Sequence, residues 1–122
     1  MCSSDLYLVT TLQKYAENDA AACSADTVLE MACVGGARAM GLSCCDDIAP
    51  GKKADLVVIN LHRPNMHPLN NISKNLVYAG SKENVRMTMV NGKVLYENGE
   101  FFIGDDAGKI FAEADKISES LK

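Results

Sequence analysis

Ala49-Pro-Gly-Lys-Lys-Ala-Asp-Leu-Val-Val-Ile59 decides the reading of this chain. Pro50-Gly51 marks a turn, two lysines and Asp55 follow, and Leu56 to Ile59 is a continuous apolar run. An unbroken run of that length, led by turn formers, predicts a strand buried on both faces, although periodicity alone does not separate it from a helix. Some thirty residues on, Val85-Arg-Met-Thr-Met-Val-Asn-Gly-Lys-Val-Leu-Tyr96 alternates apolar and polar residues around Asn91-Gly92. Asn-Gly between two such runs is the strongest short hairpin signal, because both turn positions require positive φ. Val85, Met87 and Met89 are expected on a buried face. Glu97-Asn-Gly99 supplies a second turn before a run from Glu100 to Ile103.

Upstream the pattern is helical. Leu8, Leu12 and Tyr15 recur on one face of a short helix, and Glu17-Asn-Asp19 breaks it. Ser24 suits an N-cap with Asp26 in the first turn. Leu29, Ala32, Cys33, Gly36 and Met40 then share a face, and Gly41 fits the position just past the helix end. Gly35-Gly36 inside that helix costs about 1 kcal/mol per glycine. Close approach of another backbone is the favoured reason, and fraying the other. Asn60 to Asn75 reads as a loop holding Pro64 and Pro68, and Leu76 to Ala79 as a short strand or one helical turn. Ile110, Phe111, Ala114, Ile117 and Leu121 mark an amphipathic closing helix after Asp105-Asp106. The fold class is α+β, with helices followed by a small, mostly antiparallel sheet and a C-terminal helix.

At 122 residues a single modest core is expected, and a hydrophobic fraction of 48% argues against disorder. Net charge is −4, with no basic stripe or aromatic platform for nucleic acid and no apolar run of membrane-spanning length. Without a signal-peptide pattern, a cytoplasmic protein with five reduced cysteines is expected. Cys33 is expected to behave as a small hydrophobe on the helix's apolar side. Cys44 and Cys45 are adjacent, whereas structural zinc favours ligand pairs two to four residues apart, so they read as loop residues without a special role. His62 and His67, the only imidazoles, sit around Arg63 and Pro64 and read as solvated rather than as a proton relay. Asp55 is expected to close the Pro50-Gly51 turn or to pair with Lys52 or Lys53, with a buried carboxylate as the other reading. Met1-Cys-Ser-Ser-Asp-Leu6 is encodable as GTG-TGC-TCT-TCC-GAT-CT, which matches the end of a common sequencing adapter. Residues 1–6 are therefore expected to be non-native, with natural sequence starting near Tyr7.

The Gly51-Lys-Lys-Ala-Asp-Leu56 and Val90-Asn-Gly-Lys-Val94 patterns, preceded by the helix ending Gly35-Gly-Ala-Arg-Ala-Met-Gly-Leu42, resemble the C-terminal end of metal-dependent amidohydrolases. The similar branch holds nucleoside and guanine deaminases and triazine deaminases and chlorohydrolases. The loop Pro64-Asn-Met-His-Pro-Leu-Asn70 matches a proline-containing connection in that branch. The resemblance implies the end of a (β/α)8 barrel plus the C-terminal part of a composite β-sandwich. It assigns 7–42 to terminal barrel-associated helices, 43–104 to the sandwich share and 105–122 to a tail helix. It also implies a hydrolase of non-peptide C–N bonds, a nucleoside- or purine-type deaminase, with zinc or iron held by a His-x-His pair, further histidines and a late aspartate. No His-x-His occurs here. No catalytic, cofactor-binding or metal-binding position is therefore assigned to this chain, which is expected to be inactive alone. Its expected partners are the missing barrel and N-terminal sandwich strands, with a small-molecule substrate for the parent and neither nucleic acid nor membrane. The alternative is a free-standing sandwich module that binds or regulates without catalysis.

Overall fold

The computed structural model describes residues 3–121. Of the six residues expected to be non-native, Met1 and Cys2 lie outside that range. The chain runs three helices, strand, helix, three strands, helix: α1 (Ser3–Glu17), α2 (Ala25–Glu30), α3 (Gly36–Ala39), β1 (Leu56–Ile59), α4 (Ile72–Tyr78), β2 (Val85–Val90), β3 (Lys93–Glu97), β4 (Glu100–Phe101) and α5 (Ala107–Ser120). This is the α+β class expected.

Three helices make the small core. Leu6, Ala25, Val28 and Val77 are buried together, joining α1, α2 and α4, with Cys23, Leu29 and Ala32 packed against them. Tyr7 and Tyr78 meet edge to face across the same junction, with ring centroids 6.1 Å apart. The buried line of α1 is Leu6 and Thr10, whose hydroxyl is absorbed by the Leu6 and Tyr7 carbonyls. The Leu8, Leu12 and Tyr15 face instead lies in solvent. Periodicity identified an apolar face correctly but not its partner, since nothing among the described residues covers it. Lys14 closes the α1–α2 connection by donating to the Ala20 and Ala22 carbonyls at 2.6 and 2.7 Å.

Ser24 caps α2 through the Thr27 amide, and Asp26 lies in the first turn. Helix α2 continues through a π-helical turn, Met31–Gly35, into α3, and Gly41 follows with φ +71°. The expected close backbone approach at Gly35-Gly36 is absent. The nearest atoms to a Cβ at either glycine lie 3.8 Å away and belong to the preceding helical turn. The π-turn, an insertion in the hydrogen-bond ladder, is the irregularity at this point. Cys33 is exposed rather than on the packed side, and Met40 is exposed as well.

The 60–75 segment is less open than a loop. Pro64–Met66 forms a 3-10 turn that buries Met66 completely, and Asn71 caps α4 through the Lys74 amide. Leu76 to Tyr78 is therefore helical, the second of the two readings. Gly80 ends this passage, because a Cβ there would stand 2.4 Å from the Leu76 carbonyl oxygen.

All four strands pair antiparallel in the order β1-β2-β3-β4. Asn91 and Gly92, at φ +50° and +79°, form the expected two-residue turn between Val90 and Lys93. Asn98 and Gly99, at φ +49° and +98°, repeat it between Glu97 and Glu100. The last run is shorter than expected, pairing only over Glu100–Phe101. Val85, Met87 and Met89 are half-buried. Strand β1 departs from expectation more: it is an edge strand, and Val57 and Val58 remain 46% and 41% exposed. Its apolar run suits burial on both faces, and among the described residues only β2 lies beside it.

Both ends of β1 are fastened to the hairpin. At the start, the Asn91 amide donates to Asp55 Oδ1 at 2.5 Å and the Gly92 amide to the Ala54 carbonyl at 3.0 Å. At the end, the Asn60 amide donates to the Asn84 carbonyl at 2.7 Å. Asp55 thus caps a turn 36 residues away. It neither closes the Pro50-Gly51 turn nor pairs with Lys52, which takes Asp46 instead. The Asn84 side chain is 1% exposed and fully bonded. Its Oδ1 accepts from the Ser81 amide and hydroxyl and from Asn65 Nδ2, and its Nδ2 donates to the Asn60 carbonyl and Asn65 Oδ1.

Replacing Asn84 by Ala strips partners from Asn65, Ser81 and Asn60 at once, and is expected to lower the unfolding free energy by about 2 kcal/mol in a urea titration. Asp55→Ala is expected to cost about 1 kcal/mol, less because the carboxylate is exposed, and to speed amide exchange at Asn91 specifically. Asp55→Asn, which keeps an acceptor oxygen, should recover most of that protection. Equal exchange at Asn91 in all three proteins would rule out the cap.

Candidate functional site

The polar groups nearest to a site gather where the α3 exit meets the start of β1. Gly41 turns the chain out of the helix and Pro50-Gly51 turns it back, so that Ser43 to Asp46 lie against Lys52 to Asp55. The Lys53 amide donates to the Cys44 carbonyl at 2.7 Å. The Lys52 ammonium reaches the Ser43 carbonyl at 2.6 Å and Asp46 Oδ1 at 2.5 Å. That hydrogen bond from Lys52 holds the Asp46 carboxyl below the usual carboxylate range. Cys45 is half-buried and donates to the Leu42 carbonyl. Burial, followed by the hydrogen bond and charge of Asp55, pushes its thiol up. Cys44 is exposed.

These groups do not add up to a catalytic or metal centre. A raised thiol is a poor nucleophile at neutral pH, and Asp55 is already committed to the Asn91 amide. His62 and His67 lie exposed on either side of the Pro64–Met66 turn. Only their backbone amides are engaged, with Asn60 Oδ1 and the Pro64 carbonyl. Among the described residues, no three of His, Cys, Asp or Glu converge as metal ligands would. The donor set present does not fit a catalytic metal, which needs three protein ligands and an open position.

A polar hollow lies among Asn60, Arg63, Glu83, Arg86 and Asn98, and two larger concave surfaces are apolar. A groove of about 580 Å³ runs over the sheet between Val85, Thr88, Leu95, Tyr96, Phe101 and Ile103. Tyr96 and Phe101 line it with their rings tilted against each other, centroids 5.0 Å apart. A second hollow lies between the end of β4 and the start of α5, against Phe102, Ile110 and Phe111. Helix α5, capped by Asp106, buries no residue of its own. No described helix is long and apolar enough to cross a membrane. Sequence reasoning missed the Asp55–Asn91 contact and the Asn84 network. The first had a signal in the pairing of the Ala-Asp-Leu step with Asn-Gly, whereas no local pattern marks Asn84.

Residues 4–95 match the amidohydrolase family. A 5-methylthioadenosine/S-adenosylhomocysteine deaminase from Nitratidesulfovibrio vulgaris is 46% identical over 83 residues, which cover 68% of this chain and 19% of that protein. The crystal structure of an adenosine deaminase from Xanthomonas campestris with bound zinc superposes with a TM-score of 0.91 at 32% identity, over 98% of this chain and 27% of that one. Atrazine chlorohydrolase from Arthrobacter aurescens shares the fold, with a TM-score of 0.83 at 24% identity over 93% of this chain and 25% of that one. The chain spans about a fifth to a quarter of the curated relatives it matches, 19% and 27% in two of them. The sequence match and the superposition agree: this chain belongs to the amidohydrolase family.

Proposed function

We propose that this chain is the C-terminal portion of a metal-dependent deaminase of nucleoside-like substrates, and that it supplies framework rather than chemistry. The observation that carries the reading is the combination of a TM-score of 0.91 over 98% of the chain with coverage of only 27% of the matching deaminase. Nearly every element here has its counterpart in place, while most of the counterpart lies outside it. The exposed Leu8, Leu12 and Tyr15 face, the apolar groove over the sheet, the open edge of β1 and the bare face of α5 support the same reading. Each is a surface that a larger protein would cover.

In this reading residues 7–42 belong beside a barrel, 43–104 to a composite sandwich and 105–122 to a tail packed back on the body. The parent would hold zinc or iron on residues outside this chain, and it would act in the cytoplasm. A bound metal supplies such an enzyme with a hydroxide at neutral pH. The residues here do not fit that metal, so their part is to hold shape: Asp55 and Asn84 fix β1 against its hairpin, and α1, α2 and α4 lock around Val28 and Val77.

Purified and supplied with zinc or ferrous iron, the chain is expected to release no ammonia from adenosine, 5-methylthioadenosine or S-adenosylhomocysteine above the protein-free rate. Metal-dependent ammonia release would overturn the framework reading. The same preparation is expected to sediment as associated species and to bind a hydrophobic dye. A sharply melting monomer with low dye binding would favour a free-standing module instead.

A further inference from the structure

Cys44 and Cys45 have no part in the proposed framework role, yet they form an accessible pair of neighbouring thiols. Cys44 is exposed and Cys45 half-buried, with the Cys45 thiol donating to the Leu42 carbonyl. The turn that carries them is pinned from outside, by the Lys53 amide on the Cys44 carbonyl and by the Lys52 ammonium on the Ser43 carbonyl. The two adjacent cysteines thus sit on a fastened loop.

The chemistry of that pair selects its ligand. Tetrahedral zinc needs more donors than converge here among the described residues. A direct sulfur–sulfur bond is disfavoured, because adjacent Cα atoms are about 3.8 Å apart and ordinary disulfides span about 4.4–6.8 Å. An atom placed between the sulfurs widens the ring and removes that strain. Trivalent arsenic is soft, bonds two sulfurs at a pyramidal centre and retains one other substituent. We propose that Cys44 and Cys45 form a two-thiol binding site for trivalent arsenicals. With phenylarsine oxide, two S–H bonds and the bonds from arsenic to its oxygen break, two As–S bonds form, and the oxygen leaves as water with both thiol protons. Arsenic stays trivalent, so no oxidant or reductant is required.

The test is intact-mass analysis of the full chain after exposure to phenylarsine oxide and a large excess of 2-mercaptoethanol. One arsenical per chain is expected to survive the monothiol and to be released by 2,3-dimercaptopropanol. Cys44→Ser and Cys45→Ser should each abolish the retained adduct, while Cys23→Ser and Cys33→Ser should leave it. Serine is close in size to cysteine, and a mass reading does not require the variant to fold. Absence of a retained adduct, its survival in Cys44→Ser or Cys45→Ser, or its loss with Cys23→Ser or Cys33→Ser would overturn the proposal.

Discussion

The contact on which the rest of the sheet depends is the one between Ala54-Asp55 and Asn91-Gly92. A two-residue turn at positive φ leaves its own amides facing outward, and here the Asn91 and Gly92 amides are taken by the Asp55 carboxylate and the Ala54 carbonyl. That bond pair fixes where β1 starts along the hairpin. The Asn60 amide on the Asn84 carbonyl fixes where it stops. Between the two pins the register of β1 on β2 follows, with its single shift at Val58/Ile59. A one-residue slip would turn the apolar set of a strand to the opposite face. The two sequence motifs that resemble the family are thus two halves of one contact.

Much of the local structure was legible because its causes are local. Ser24 caps a helix through its own side chain, and Asn91-Gly92 dictates a turn wherever it occurs between strand formers. What escaped was either long-range or depended on surroundings. The Asp55 carboxylate reaches a residue 36 positions away, and Asn84 joins three segments that no spacing rule connects. The Leu8, Leu12 and Tyr15 stripe was read as one face of a helix, whereas the buried line of that helix is Leu6 and Thr10. The same applies to β1, whose composition suits burial on both faces while its position here is an edge. Sequence records the environment a segment is suited to, and this chain holds only part of that environment.

Little of the candidate site was legible in the sequence, because its polar contacts join residues that no spacing rule connects. Two histidines around a proline turn, two adjacent cysteines and a committed aspartate give no converging ligand set among the described residues. The structure adds that the polar groups already have structural work: Lys52 with Asp46, Asp55 with Asn91, and Asn84 with Asn60, Asn65 and Ser81. The two larger concave surfaces are apolar, which supports the proposed framework role. Membership of the amidohydrolase family, with a fifth to a quarter of a relative's length, accounts for both facts together.

The central claim, that this chain is one portion of a longer deaminase, is tested most directly by sequencing the source DNA upstream of the Tyr7 codon. The claim requires an in-frame extension of roughly 300 codons, enough for a barrel of about 250 residues and the first sandwich strands, encoding His-x-His and a late aspartate. A functional start codon and promoter at Met1, with no such extension, would contradict it and leave a free-standing module.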